Sequence, residues 1–159
     1  MKMRMRFAFL FLFVSILGSC SKETLDTANI IEAKNDPEVE NELLNIVNSH
    51  RSTLGYTSLS FSAVAYEYAN KHTDYMIAQG GLSHDNFSSR ASNIALEVEA
   101  EFVAENVAKD YHSASEAFNG WLNSPDHKKT MEGDFTHTAV TVKKSASGVY
   151  YYTQLFFKK

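Results

Sequence analysis

Between Asp36 and Gly55 the apolar residues Val39, Leu43, Ile46 and Val47, together with His50, recur at the spacing that lines one face of a helix. Asp36 can cap that helix, Pro37 fits its first turn, Glu38 complements its dipole and Gly55 ends it. A second helix starts at Ser60 or Ser62, brings Val64, Tyr68, Tyr75 and Met76 close to one stripe, and stops at Gly80-Gly81. Residues 88–98 carry a weaker helical pattern. Ser113-x-x-Glu116 is a capping box ahead of a buried face made by Ala117, Phe118, Trp121 and Leu122, and Pro125 lies beyond the end of that helix.

Strand patterns fill the spaces between. Phe102 to Ala108 is short and suits a strand. Thr138, Val140 and Val142 alternate with Thr141 and Lys143, and a Ser-Ala-Ser-Gly148 turn leads into Val149 to Phe157, which pairs back as a hairpin. Helices, one strand, another helix and a closing hairpin predict an α+β fold. In the last strand Tyr150, Tyr151, Tyr152, Phe156 and Phe157 are expected to be core on one face and covered by helices on the other.

The start of the chain reads as an export signal. Lys2, Arg4 and Arg6 precede an apolar run from Phe7 to Leu17 that is too short to cross a bilayer of about 30 Å as a helix. Leu17-Gly-Ser-Cys20 closes the run with small residues, and Cys20 stands where a bacterial lipobox places the residue that carries lipid. It is the only cysteine, so an internal disulfide is excluded. We therefore expect a lipoprotein signal over residues 1–19, a polar tether attached to lipid over 20–35, and one domain over 36–159. Several acyl chains on Cys20 would hold the protein on a membrane. Loss of residues 1–19 removes three positive charges and no acids, so the formal charge moves from −4 to −7. That balance excludes nucleic acid as a partner.

Five stretches carry candidate chemistry: Leu82-Ser-His84-Asp, Ala104-Glu105-Asn106-Val-Ala, Trp121-Leu-Asn-Ser-Pro-Asp-His127, Phe135-Thr-His137 and Tyr152-Thr-Gln154. His84 follows a helix end, where loops present functional groups. Glu105 sits in an apolar strand, where a carboxylate needs a partner to offset its desolvation. Trp121 is expected in the core, with its indole N–H available to a cleft. His137 lies on a strand, with cleft and solvent both open to it, while His50, His72 and His112 are assigned to packing or solvent.

In this order and spacing the stretches resemble the CAP superfamily of cysteine-rich secretory, antigen 5 and pathogenesis-related proteins, and most closely its bacterial SCP-like branch. The likeness runs from about Glu38 to Phe157 and takes in Ala69-x-x-His72-x-x-x-Met76. It implies an α-β-α sandwich, with a central antiparallel sheet flanked by helices. It also implies a cleft lined by His84, Glu105, His127, His137 and Trp121. Two imidazoles and a carboxylate, His84, Glu105 and His127, could hold a divalent metal such as Zn²⁺ with one position open. The chain departs from the family pattern at several places, among them the absence of the Gly-His-x-Thr-Gln strand of eukaryotic members. Asp126 replaces a usual glycine, which raises the question of an unusual backbone angle. Ser124 stands where eukaryotic members have a second glutamate, and their disulfides are absent.

Gly-x-Ser-x-Gly, phosphate-binding glycine loops, dinucleotide fingerprints and a His-Glu-x-x-His helix are all missing. The expected function is an extracytoplasmic, lipid-anchored binding module of the bacterial envelope, an outer-membrane or surface lipoprotein that takes a small ligand, lipid or envelope component. A metal-assisted hydrolase acting on a peptide or envelope substrate and a structural envelope protein are the alternatives.

Overall fold

The computed structural model describes residues 30–159; the expected signal, Cys20 and most of the tether lie outside them. Helix α1 spans Pro37–Thr53, with Asp36 capping it through a bond from the Val39 amide and proline in its first turn. Of the predicted face, Leu43 and Val47 are fully buried and Val39, Ile46 and His50 are half-buried, while the buried face also takes in Glu40 and Arg51. The two-residue strand β1, Ser60–Phe61, leads to α2, Ala63–Gln79, which is capped by Ser62 and ended by Gly80 at a φ of 70°. Then come α3 (Phe87–Val98), β2 (Phe102–Lys109), α4 (Ala114–Leu122), α5 (Pro125–Met131), β3 (His137–Lys144) and β4 (Tyr150–Lys158).

The face that α2 buries differs from the predicted stripe. Ala65, Ala69, His72, Thr73 and Met76 are buried, whereas Val64, Tyr68 and Tyr75 are half-exposed. Small residues at 65 and 69 let the helix lie close on the sheet. The Thr73 hydroxyl meets those of Thr141 and Thr153 at 2.7 and 2.8 Å, so hydrogen bonds settle the contact. Pro125 lies beyond the end of α4, as expected, and has a second role. It opens α5, where its missing N–H and fixed φ suit the first helical position.

The sheet order is β1-β3-β4-β2. The three long strands pair antiparallel, as expected, and β1 adds a short parallel edge beside β3. Side-chain alternation divides the core into two layers. On one face Val140, Val142, Tyr152 and Phe156 pack with Leu43 and Val47 of α1, Phe118 and Trp121 of α4 and Met131 of α5. On the other, Ala139, Leu155 and Phe157 pack with Ala65 and Ala69 of α2 and Ile94 of α3, and Val107 and Tyr151 pack with Met76. This is the helix–sheet–helix sandwich, and the last strand is buried on both faces.

Hydrogen bonds tie the chain to the domain from Ala33 onward, three residues before the predicted boundary. The Ala33 amide donates to Asp74, Asn35 bridges to Lys143, and the Asp36 amide donates to the Val142 carbonyl. At its other end α1 is clamped by Arg51, which is 1% exposed. Its guanidinium donates to the carbonyls of Thr57, Met131, Gly133 and Phe135, at 2.7 to 3.3 Å. Replacing it by methionine leaves those carbonyls without donors, and the expected loss is about 3 kcal/mol or more in chemical denaturation. Arg51→Lys should recover less than half, because an ammonium cannot span the same fork of acceptors. A lysine variant as stable as the wild type would refute the clamp.

Candidate functional site

Strand β2 lies at the edge of the sheet, and successive residues on it face opposite helix layers. Glu105 points to the layer of α2 and α3, as does Val107, and its side chain is 1% exposed. The carboxylate is held from three directions. His84, in the loop between α2 and α3, donates from Nδ1 to Oε1 at 2.8 Å. Arg90 of α3 donates from Nε to Oε2 at 2.8 Å, with Nη2 at 2.6 Å from the same oxygen. His72 of α2 brings Nε2 to 3.7 Å from Oε1.

The same side chains also hold the loop. His72 Nε2 donates to the Ser83 carbonyl at 2.7 Å, and Arg90 Nη1 donates to the Asp85 carbonyl at 3.2 Å. The backbone on both sides of His84 is therefore fixed by the two groups that also flank its carboxylate partner. With Nδ1 turned to Glu105, Nε2 is the ring nitrogen of His84 left facing outward. The His84 side chain is 54% exposed, beside a cavity of about 410 Å³ lined by Gln79, Gly81 to Ser83 and Asp85.

Burial by itself would raise the Glu105 pKa. The hydrogen bond from His84 and the charges of His72 and Arg90 outweigh it and hold the carboxyl below its ordinary value. His72 is lowered, chiefly by burial and then by the Arg90 and His84 charges, against the pull of Glu105.

The remaining expected residues divide. The pKa of His127, half-buried in the first turn of α5, is also lowered, first by burial and then by the charge of His84, against the pull of Asp126. The Asn106 amide fixes the turn by donating to the His127 carbonyl at 3.0 Å. Asp126 lies inside that helix and is not among the residues with positive φ, so it needs no glycine-like angle. Trp121 is buried and donates from Nε1 to the Val107 carbonyl at 3.1 Å, so its N–H supports β2 from behind. His137 is not brought to the cluster: its ring stacks on Phe157 at 4.8 Å, and its register partners lie with β4 between it and β2.

Sequence reasoning misses two members: it leaves His72 to packing or solvent and does not single out Arg90. The signal for Arg90 is indirect, since a carboxylate in an apolar strand requires a cation nearby. The expected three-ligand metal set is not assembled. Among the described residues no three His, Cys, Asp or Glu side chains group to hold a metal ion, and the Arg90 guanidinium already sits on Oε2 of Glu105.

These features define a three-layer α+β domain whose edge strand uses a buried carboxylate to orient one exposed imidazole. Residues 44–156 match the model of the cysteine-rich secretory protein family, CAP, and the chain belongs to that family. The uncharacterized membrane protein YlbC of Bacillus subtilis is 31% identical over 124 residues, 76% of this chain and 34% of that protein, so the chain spans about a third of its length. An outer surface protein from Borrelia burgdorferi shares the fold with a TM-score of 0.71 at 18% identity, over 80% of this chain and 98% of that one. An extracellular protein containing an SCP domain from Bacillus anthracis gives a TM-score of 0.69 at 25% identity, over 78% and 41% of the two chains.

Two outcomes follow from the cluster. The folded protein binds a proton on His72 less readily than the unfolded chain, whose histidine titrates near about 6.5. His72 therefore contributes stability that is complete above that pH and is lost as pH falls through the lowered folded value; Glu105 adds a second loss below about 4.3. Melting temperatures at pH 7.5 and 5.5 should differ less in His72→Gln than in the wild type, and an identical difference would count against a neutral, buried His72. Calorimetric titration with Zn²⁺ should show no one-to-one binding that Glu105→Gln abolishes. Stoichiometric binding lost in His84→Ala, Glu105→Gln and His127→Ala alike would restore the three-ligand site.

Proposed function

We propose that this chain is a binding module of the cell surface, attached to a membrane through lipid on Cys20, whose cleft offers the His84 imidazole to a small ligand, lipid headgroup or envelope component. The observation that carries the reading is the Nδ1 bond of His84 to a buried carboxylate, which leaves Nε2 outward and fixed in direction. Such a ring is ready to accept a hydrogen bond from a ligand without ordering cost at the moment of binding. The surface location is supported by the relatives, two of which are described as outer-surface or extracellular proteins and one as a membrane protein. The lipid attachment rests on Leu17-Gly-Ser-Cys20.

One observation favours a second reading. A carboxylate that orients a histidine from behind is also the arrangement that lets Nε2 take a proton from water, so a hydrolase with His84 as general base shares this geometry.

The full chain carrying Cys20→Ser, which removes the lipid, separates these readings. It is expected to cosediment with phosphatidylglycerol vesicles or with peptidoglycan sacculi, and His84→Ala should weaken that binding about tenfold with little change in melting temperature. Peptide and ester substrates should show no turnover. Turnover lost in His84→Ala would replace the binding reading with the hydrolase. A His84→Ala variant that changes only the melting temperature would leave the cluster as a fold staple.

A further inference from the structure

A second cavity, of about 490 Å³, opens between α2 and α3; His72 and Arg90 line it and His84 does not, although Asp85 borders both cavities. One wall is aromatic. Tyr68 and Tyr75 stand two helical turns apart on α2, and each is tied across to the opposite wall: Tyr68 donates its hydroxyl to Glu97 at 2.5 Å, and Tyr75 donates to Asp85 at 3.0 Å. Tyr75 is also stacked against His72, with ring planes 15° apart. Both rings are thus held in place before any ligand arrives.

The other wall is a ladder of uncharged polar groups. Asn86, Ser89 and Asn93 fall at i, i+3 and i+7 and so share one face of α3 and its cap. All three are exposed, and their side chains have no hydrogen-bond partner among the described residues. Charges of both signs surround them: Lys71 and Arg90 on one hand, Glu32, Asp74 and Asp85 on the other. A strongly anionic or cationic ligand would meet like charge on one side.

The chemistry that matches is a neutral molecule with apolar C–H faces for the tyrosine rings and hydroxyl or amide groups that both donate and accept, as amide and hydroxyl side chains do. We propose that the groove between α2 and α3 binds a neutral saccharide, one or two sugar units of a glycan chain. This site is separate from the His84 cleft and does not depend on the function proposed for it.

The test is titration calorimetry of the full chain, as the Cys20→Ser form, with two neutral probes, the tetramer of N-acetylglucosamine and maltotetraose. Saturable one-to-one binding of at least one is expected, with a change in the His72 imidazole NMR signal. Combining Ser89→Ala with Asn93→Ala should weaken it about tenfold, and Tyr75→Leu should weaken it further. Asn86 adopts a φ of 59°, so glycine is the replacement there that adds no strain. The alanine pair removes no internal bond, so an unchanged melting temperature verifies that the fold survives. His84→Ala should bind as the wild type does. Absence of saturable binding to both sugars would overturn the proposal, as would binding that the Ser89 and Asn93 variants leave intact or that His84→Ala abolishes.

Discussion

A carboxylate taken out of water must find positive charge and hydrogen bonds, or the strand that carries it will not stay in the sheet. Glu105 meets that requirement with His84, His72 and Arg90, drawn from a loop and two helices. Such a cluster is a poor source of net stability, since desolvation consumes much of the attraction. What it provides is position. The groups that flank Glu105 also hold the carbonyls of Ser83 and Asp85, so the position of the loop is tied to that of the carboxylate.

Strand β2 is also where the two helix layers are registered to each other. Glu105 engages α2 and α3, while its neighbour Asn106, on the opposite face, engages the first turn of α5. Trp121 of α4 meets the next carbonyl along. Three consecutive residues thus fix elements from both sides of the sheet.

Much of this fold could be read in the sequence. The face of α1, the capped start of α4 and the closing hairpin all follow from periodicity and local hydrogen bonding, which the chain carries in short range. The buried face of α2 did not, because alanines and a threonine make its contact, and hydrophobic spacing gives small and hydroxyl residues little weight. Helix α5 escapes such a reading because proline marks both the position after a helix and the first position of the next. At the site, His84 and Glu105 were visible through their motif. His72 and Arg90 became partners only through tertiary placement, and His137 was drawn away by the Phe157 ring.

The stitching of residues 33 to 36 has a mechanical side. The Ala33 amide binds Asp74, which is itself bonded at 2.6 Å to buried Lys143, and Asn35 is tied to the strand residue Lys143 as well as to Glu40 and Asn70. A pull on the chain ahead of Ala33 would load this knot first and pass into α2 and β3. The load enters α2 at Asp74, two residues from His72, whose Nε2 bonds the Ser83 carbonyl. Tension on the N-terminal side of the domain would therefore reach the loop that carries His84 through one helix and one hydrogen bond.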